Sequence, residues 1–220
     1  MFGLKKFLFR QAAPDHLPDD VKLALSAWGA SAAPALDEAH FHTRYVLLDI
    51  ATTGNNPETD DVLVISALSV YRNAIRTDDA CFVDLSSEDD AATVARKLAA
   101  FLSFAGKSPV VTYHVPFVGR FLQRLFKDQL GLAFAPQWVD LAWLLPSMFE
   151  ERGHQVMPLD FWIENFGLDA TNERRDPMAN TLLLARIFQM AVTRALTKDI
   201  ATAARLVDES RASSFLRRTH

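Results

Sequence analysis

A change of periodicity at Arg44 limits what this chain can become. Just after it, Tyr45-Val46-Leu47-Leu48-Asp49-Ile50 is a mostly apolar run of strand length, the pattern of a central strand covered on both faces. A loop rich in Gly, Asn, Pro and Asp follows over 54–61. A second strand is predicted over 62–71, and Arg72-Asn73-Ala74 turns the chain into a third over 75–84. From there strands and helices alternate. Ser87 can cap a helix whose Val94, Leu98, Phe101, Leu102 and Ala105 share one stripe, and Gly106 ends it. Pro109 to Tyr113 reads as a fourth strand. Pro116 starts a helix striped by Val118, Phe121, Leu122 and Leu125, and Trp138 to Leu141 is a short fifth strand. Helices are predicted near 142–150, 158–166, 177–194 and 197–208. Three strands on short links, then strands alternating with helices, make a mixed five-stranded sheet with helices on both faces, an α/β fold.

Residues 1–43 have a different texture. Pro14, Pro18 and Pro34 punctuate an Ala- and Asp-rich stretch, in which Pro18-Asp19-Asp20 opens a helix with Pro at a first-turn position. Val21, Ala24, Leu25 and Trp28 give that helix one face to bury. The segment reads as an N-terminal helical arm packed on the main domain. Its first ten residues read as a docked or frayed terminus, with a basic amphipathic helix for a membrane surface or partner as the alternative. The expected division is an arm over 1–43, a main domain over 44–195, and a C-terminal helix with a mobile basic tail over 196–220.

Composition excludes several classes. Half the residues are apolar, enough to fill a core. Cys81 stands alone, so neither a disulfide framework nor a cysteine zinc site is available. His40 and His42 read as loop histidines. No apolar run reaches membrane-span length, and the first ten residues are too interrupted by charge for a secretory signal. A soluble, cytoplasmic protein is expected. With a formal charge of -4, nucleic-acid binding would have to come from a local basic patch.

The string Leu48-Asp49-Ile50-Ala51-Thr52-Thr53-Gly54 resembles the opening motif of the DEDD (DnaQ-like) 3′–5′ exonucleases, the family of the polymerase III ε subunit, which writes it Asp-x-Glu-Thr-Thr-Gly. Tyr113-His114-Val115-Pro116-Phe117-Val118-Gly119-Arg120-Phe121-Leu122 is similar to that family's His-Asn-x-x-Phe-Asp-x-x-Phe-Leu. Val139-Asp140-Leu141 falls where the family has Asp-Thr-Leu. Leu159-Asp160 through Asn165-Phe166-Gly167-Leu168 matches the helix before the third motif. Arg175-Asp176-Pro177-Met178-Ala179-Asn180-Thr181 falls on His-x-Ala-x-x-Asp-Ala. Order and spacing agree over roughly 44–190. The resemblance implies a ribonuclease-H-like exonuclease fold.

The resemblance also implies a chemistry, and the residues depart from it. In the family four carboxylates hold two metal ions about 4 Å apart and a His acts as base. Here Asp49 keeps the first carboxylate. Ala51 stands for the Glu, Val118 for the second-motif Asp, Arg175 for the His and Asn180 for the last Asp. One carboxylate cannot offset two divalent ions, Mg²⁺ sheds its waters reluctantly, and arginine cannot act as a base. Asp140 and Asp176 are the nearest replacements by position, and both read first as capping aspartates. Val118 completes an inward stripe and is expected to seal the former metal pocket. Arg175 is placed to pair with Asp49 or to bind phosphate. Arg120, Arg124 and Lys127 read as a solvated helix face.

The expectation is a degenerate, catalytically inactive exonuclease domain that needs no cofactor and serves as a binding or scaffolding module. Its candidate site comprises Asp49, Ala51, Val118, Arg175 and Asn180, with Thr52, Thr53, Gly54 and Phe117 as nucleotide contacts. The partners left open are single-stranded nucleic acid, held weakly, and a protein. The alternative is an active Mg²⁺- or Mn²⁺-dependent 3′–5′ exonuclease using other ligands.

Overall fold

The computed structural model describes residues 14, 16–85, 88–168 and 176–218. The apolar run after Arg44 forms β1, Tyr45–Thr52, the middle strand of five. On one side β2, Val62–Tyr71, and β3, Ala74–Asp84, add antiparallel. On the other side β4, Val110–Thr112, and β5, Trp138–Asp140, add parallel. The order is β3-β2-β1-β4-β5. Arg72 and Asn73 close the β2–β3 hairpin with φ of 54° and 56°, the left-handed pair that a two-residue turn needs to follow strand twist.

Because β1 alternates, it feeds two cores. Tyr45 and Leu47 face the layer built from α4, Leu141–Met148, α5, Leu159–Asn165, α6, Pro177–Thr197, and α7, Ala203–Arg218. Val46 and Leu48 face the layer of α2, Ala91–Ala105, and α3, Val115–Leu130. Both cores are dry: Leu47, Leu48, Phe101, Phe126 and Phe188 have no measurable exposure. Asp49, next in the alternation, therefore emerges on the α6 side, where the strand ends.

The N-terminal helix α1, Asp19–Ala30, lies against α2. Trp28 Nε1 donates to the Gly106 carbonyl at 2.8 Å, and Arg96 pairs with Asp20 at 2.8 Å. Pro18 occupies the cap position rather than the first turn, where its extended ψ of 148° suits it. The cap of α2 is Asp90, whose carboxylate accepts from Thr93 N at 2.7 Å; Ser87, the expected cap, lies outside the described residues, as do the first ten. A cap must sit within one turn of the amide it serves, and Asp90 directly precedes the helix.

Two further expectations change. His40 is buried, and its ring spans two elements: Nε2–H donates to the Ile200 carbonyl at 2.9 Å, so Nδ1 accepts from the Tyr45 hydroxyl at 2.6 Å. Burial lowers its pKa and keeps the imidazole neutral. At the other end α7 runs well past 208, to Arg218. Its buried face includes Ser210 and Ser213, small polar residues that a search for apolar periodicity passes over. No described helix is long and apolar enough to cross a membrane.

Candidate functional site

The carboxyl end of β1 meets the amino end of α6, and this junction brings Asp49 and Asn180 together. Asp49 pairs in register with Ser66 of β2. The Thr181 hydroxyl lies 2.9 Å from Ser66 Oγ and 2.8 Å from the Pro177 carbonyl, and Ser66 Oγ approaches Met178 Sδ at 3.6 Å. These contacts pin the first turn of α6 over β1 and β2. The next residue back, Asn180, lies beside the Asp49 carboxylate. Burial pushes the Asp49 carboxyl above its ordinary value, against the Asn180 amide and a backbone N–H that lower it.

The other expected site residues have different settings. Ala51 lies two residues on, on the same face of β1 as Asp49, and contributes no donor atom. Val118 is 3% exposed and belongs to the α2–α3 core with Phe121 and Leu122. Its burial is thus accounted for by the layer across the sheet from Asp49, without a pocket to seal. Arg175 lies outside the described residues. Phe117 is half-buried against Phe121, with ring centroids 4.9 Å apart, and His114 lies parallel to it at 6.4 Å.

Thr52, Thr53 and Gly54 begin a loop that satisfies itself. Thr52 Oγ1 donates to the Gly54 carbonyl at 2.7 Å, and Thr53 Oγ1 accepts from Asp61 N at 2.9 Å. Asp60 folds back onto Asn56 N at 2.7 Å, and any Cβ at position 54 would collide with that carboxylate. Arg124, expected on a solvated face, reaches across from α3 to the Asp60 carbonyl and to Asp61 at 3.1 Å. The loop is held by its own polar groups and by one guanidinium.

The two candidate replacement acids both act as caps. Asp140 Oδ1 accepts from His114 N and Ala142 N at 2.9 and 3.0 Å, and Oδ2 accepts from Val115 N at 2.9 Å. One carboxylate therefore closes the amino ends of α3 and α4 together. Burial raises its pKa while the three N–H groups pull it down. Its own amide donates to Ser210 Oγ of α7 at 2.8 Å. His114, the residue it fixes, has φ of 65°, an uncommon conformation for a residue with a Cβ. Asp176 is exposed and accepts from Ala179 N at 2.9 Å as the cap of α6. Among the described residues no three His, Cys, Asp or Glu side chains gather as metal ligands. Asp49 with an amide for its neighbour does not fit a centre for two divalent ions, which needs several convergent carboxylates.

Ser66, Met178 and Thr181, which set the junction, escaped sequence reasoning. Their contacts join positions more than a hundred residues apart, and nothing local marks them.

A mixed five-stranded sheet in this order, layered by helices, is the ribonuclease-H-like fold of the DEDD exonucleases. The nuclease domain of 3′hExo, a DEDDh family member bound to rAMP, superposes with a TM-score of 0.54 at 13% identity, over 71% of this chain and 94% of that one. Exonuclease I of E. coli in complex with a dT13 oligonucleotide gives 0.53 at 14% identity, over 71% and 42%. In sequence, the chain is 23% identical over 181 residues to the DNA polymerase III PolC-type of Thermotoga petrophila, covering 74% of this chain and 13% of the relative. The corresponding protein of Thermotoga maritima is 24% identical over 173 residues, covering 70% and 12%. The chain thus spans about an eighth of these curated relatives. No family model matches it. The relation is to the DEDD, DnaQ-like exonuclease superfamily, and it is distant.

Proposed function

We propose that this chain is a DnaQ-like exonuclease domain that does not run two-metal hydrolysis and works instead as a binding module for single-stranded nucleic acid. The observation that carries the reading is the neighbour of Asp49. In a hydrolytic site that carboxylate would share metal ions with other acids; here its side-chain neighbour is the Asn180 amide. Ala51 on the same strand face supplies no ligand, and the oxygens of Asp140 are engaged by backbone N–H groups. Exonuclease I, which shares the fold, has been captured with an oligonucleotide, which supports the choice of ligand. The described site is acidic, so the contacts are expected to be few and the affinity low.

The test is degradation of a 3′-labelled single-stranded oligonucleotide with Mg²⁺ or Mn²⁺, beside fluorescence anisotropy with the same strand. Saturable binding with the label retained is the expected result. Metal-dependent release of 3′ nucleotides, abolished by Asp49→Ala in protein prepared identically, would overturn the reading and establish an active exonuclease.

A further inference from the structure

The outer face of α6 borders a groove of about 690 Å³, on the half of the helix remote from Asp49. Its floor is apolar: Phe149 and Phe166 meet edge to face with centroids 4.9 Å apart, and Met190 continues the surface. Its walls are cationic. Arg152 lies over the Phe166 ring at 5.3 Å and Arg194 over Phe149 at 5.7 Å. Arg186 is exposed beside them and makes no ion pair among the described residues.

The charge balance is what makes this groove unusual. In a chain of net charge -4, three guanidiniums line one depression, and among the described residues the carboxylate that answers them is Glu151, held by Arg194 at 2.9 Å through both oxygens. Arg194 is braced for that task, because its Nε donates to the Met148 carbonyl at 3.0 Å. Arg194, which lines the groove, thus already holds a carboxylate of its own chain, and Arg186 and Arg152, the latter also donating to the Asn165 carbonyl, carry no ion pair among the described residues. Guanidinium groups favour carboxylates by paired, charge-assisted hydrogen bonds.

We propose that this groove docks a short acidic segment of a partner protein, its apolar side chains on Phe149, Phe166 and Met190 and its carboxylates on Arg186 and Arg152. A volume of this size is in the range of pockets that enclose a ligand of a few residues. The surface is separate from the Asp49 junction, so the inference does not depend on the reading of that site.

The experiment measures binding of the full chain to a fluorescent peptide of alternating aspartate, leucine and phenylalanine. A twin with asparagine for every aspartate serves as control. Saturable binding of the acidic peptide, at least tenfold tighter than that of its twin, is expected. Arg186→Glu and Thr193→Glu, both at exposed positions, should each weaken it tenfold or more without moving the melting temperature. Lys127→Glu, on α3 and outside the groove, should leave it unchanged. No saturation, equal binding of the twin, or equal loss in Lys127→Glu would overturn the proposal. Displacement of the peptide by adenosine monophosphate would overturn it in favour of a nucleotide site.

Discussion

Asp140 is buried at the end of β5 and Asp49 half-buried within β1, and their neighbours give the two aspartates opposite roles. Three backbone N–H groups converge on Asp140, so its removal strands donors at the starts of two helices. Asp140→Ala is expected to destabilise the fold by about 3 kcal/mol or more, a lost cap plus unpaired buried N–H groups, measured by urea denaturation. Asp49 has the Asn180 amide for a neighbour, and burial raises its pKa. For a carboxyl whose folded pKa lies above the unfolded one, the folded state binds the proton more tightly. Its stabilising contribution is complete below the unfolded pKa and disappears as pH rises through the folded pKa. The ionised Asp49 thus opposes folding at neutral pH. Asp49→Asn should melt higher than the parent at pH 7, and the gain should shrink as pH falls through the carboxylate range. Thermal melts of both proteins across that range check it; a gain that grows on acidification would contradict the sign.

Among the elements, α3 is the one most exposed to a single change. Val118, Phe121, Leu122 and Phe126 face the core beneath it with almost no exposure, and Arg124 on its flank ties down the loop after β1. Restoring an acid at position 118 puts a carboxylate into that dry layer. Val118→Asp is expected to cost about 3 kcal/mol or more unless the group stays protonated. Because Val118 lies across the sheet from Asp49, added Mn²⁺ should not recover the loss, and a pair of melts with and without metal decides this. Recovery by Mn²⁺ would mean that the side chain can swing to the Asp49 side. The alternating apolar pattern already read α3 as a buried helix with an inward Val118. What lay beyond the pattern was which of the two cores it faced.

For the whole molecule, charge sets the expected strength of nucleic-acid binding. The chain is net acidic, and among its described cations many are engaged: Arg44 with Asp79, Arg96 with Asp20, Lys97 with Asp89 and Arg124 with Asp61. The described cations without an ion pair, such as Arg72, Lys107, Lys127 and Arg205, are spread over several elements. Binding to single-stranded DNA should therefore be weak and lose affinity with salt. The slope of log K against log salt should be shallow, about -0.7 for each phosphate engaged. Anisotropy titrations over a range of salt concentrations give that slope. Tight, salt-insensitive binding would point to stacking as the dominant contact, with the half-buried Phe117 as the first residue to substitute.

The sequence alone determined the order and type of the strands, the two-sided burial of β1, and the helices along the main domain, because apolar periodicity and turn chemistry are local signals. It also put no carboxylate at positions 51, 118 and 180, since residue identity needs no coordinates. Tertiary structure decided what those residues do. Asp49 meets Asn180 because Ser66 and Thr181 lock α6 onto the sheet. Asp140 joins two helix starts to α7 because β5 ends where all three meet. The serines that bury α7 and the arginines gathered along α6 are ordinary polar residues in the sequence. Only the packing of distant elements gives a hydroxyl a buried partner, or brings guanidiniums from a helix and a distant loop to the edge of one apolar groove.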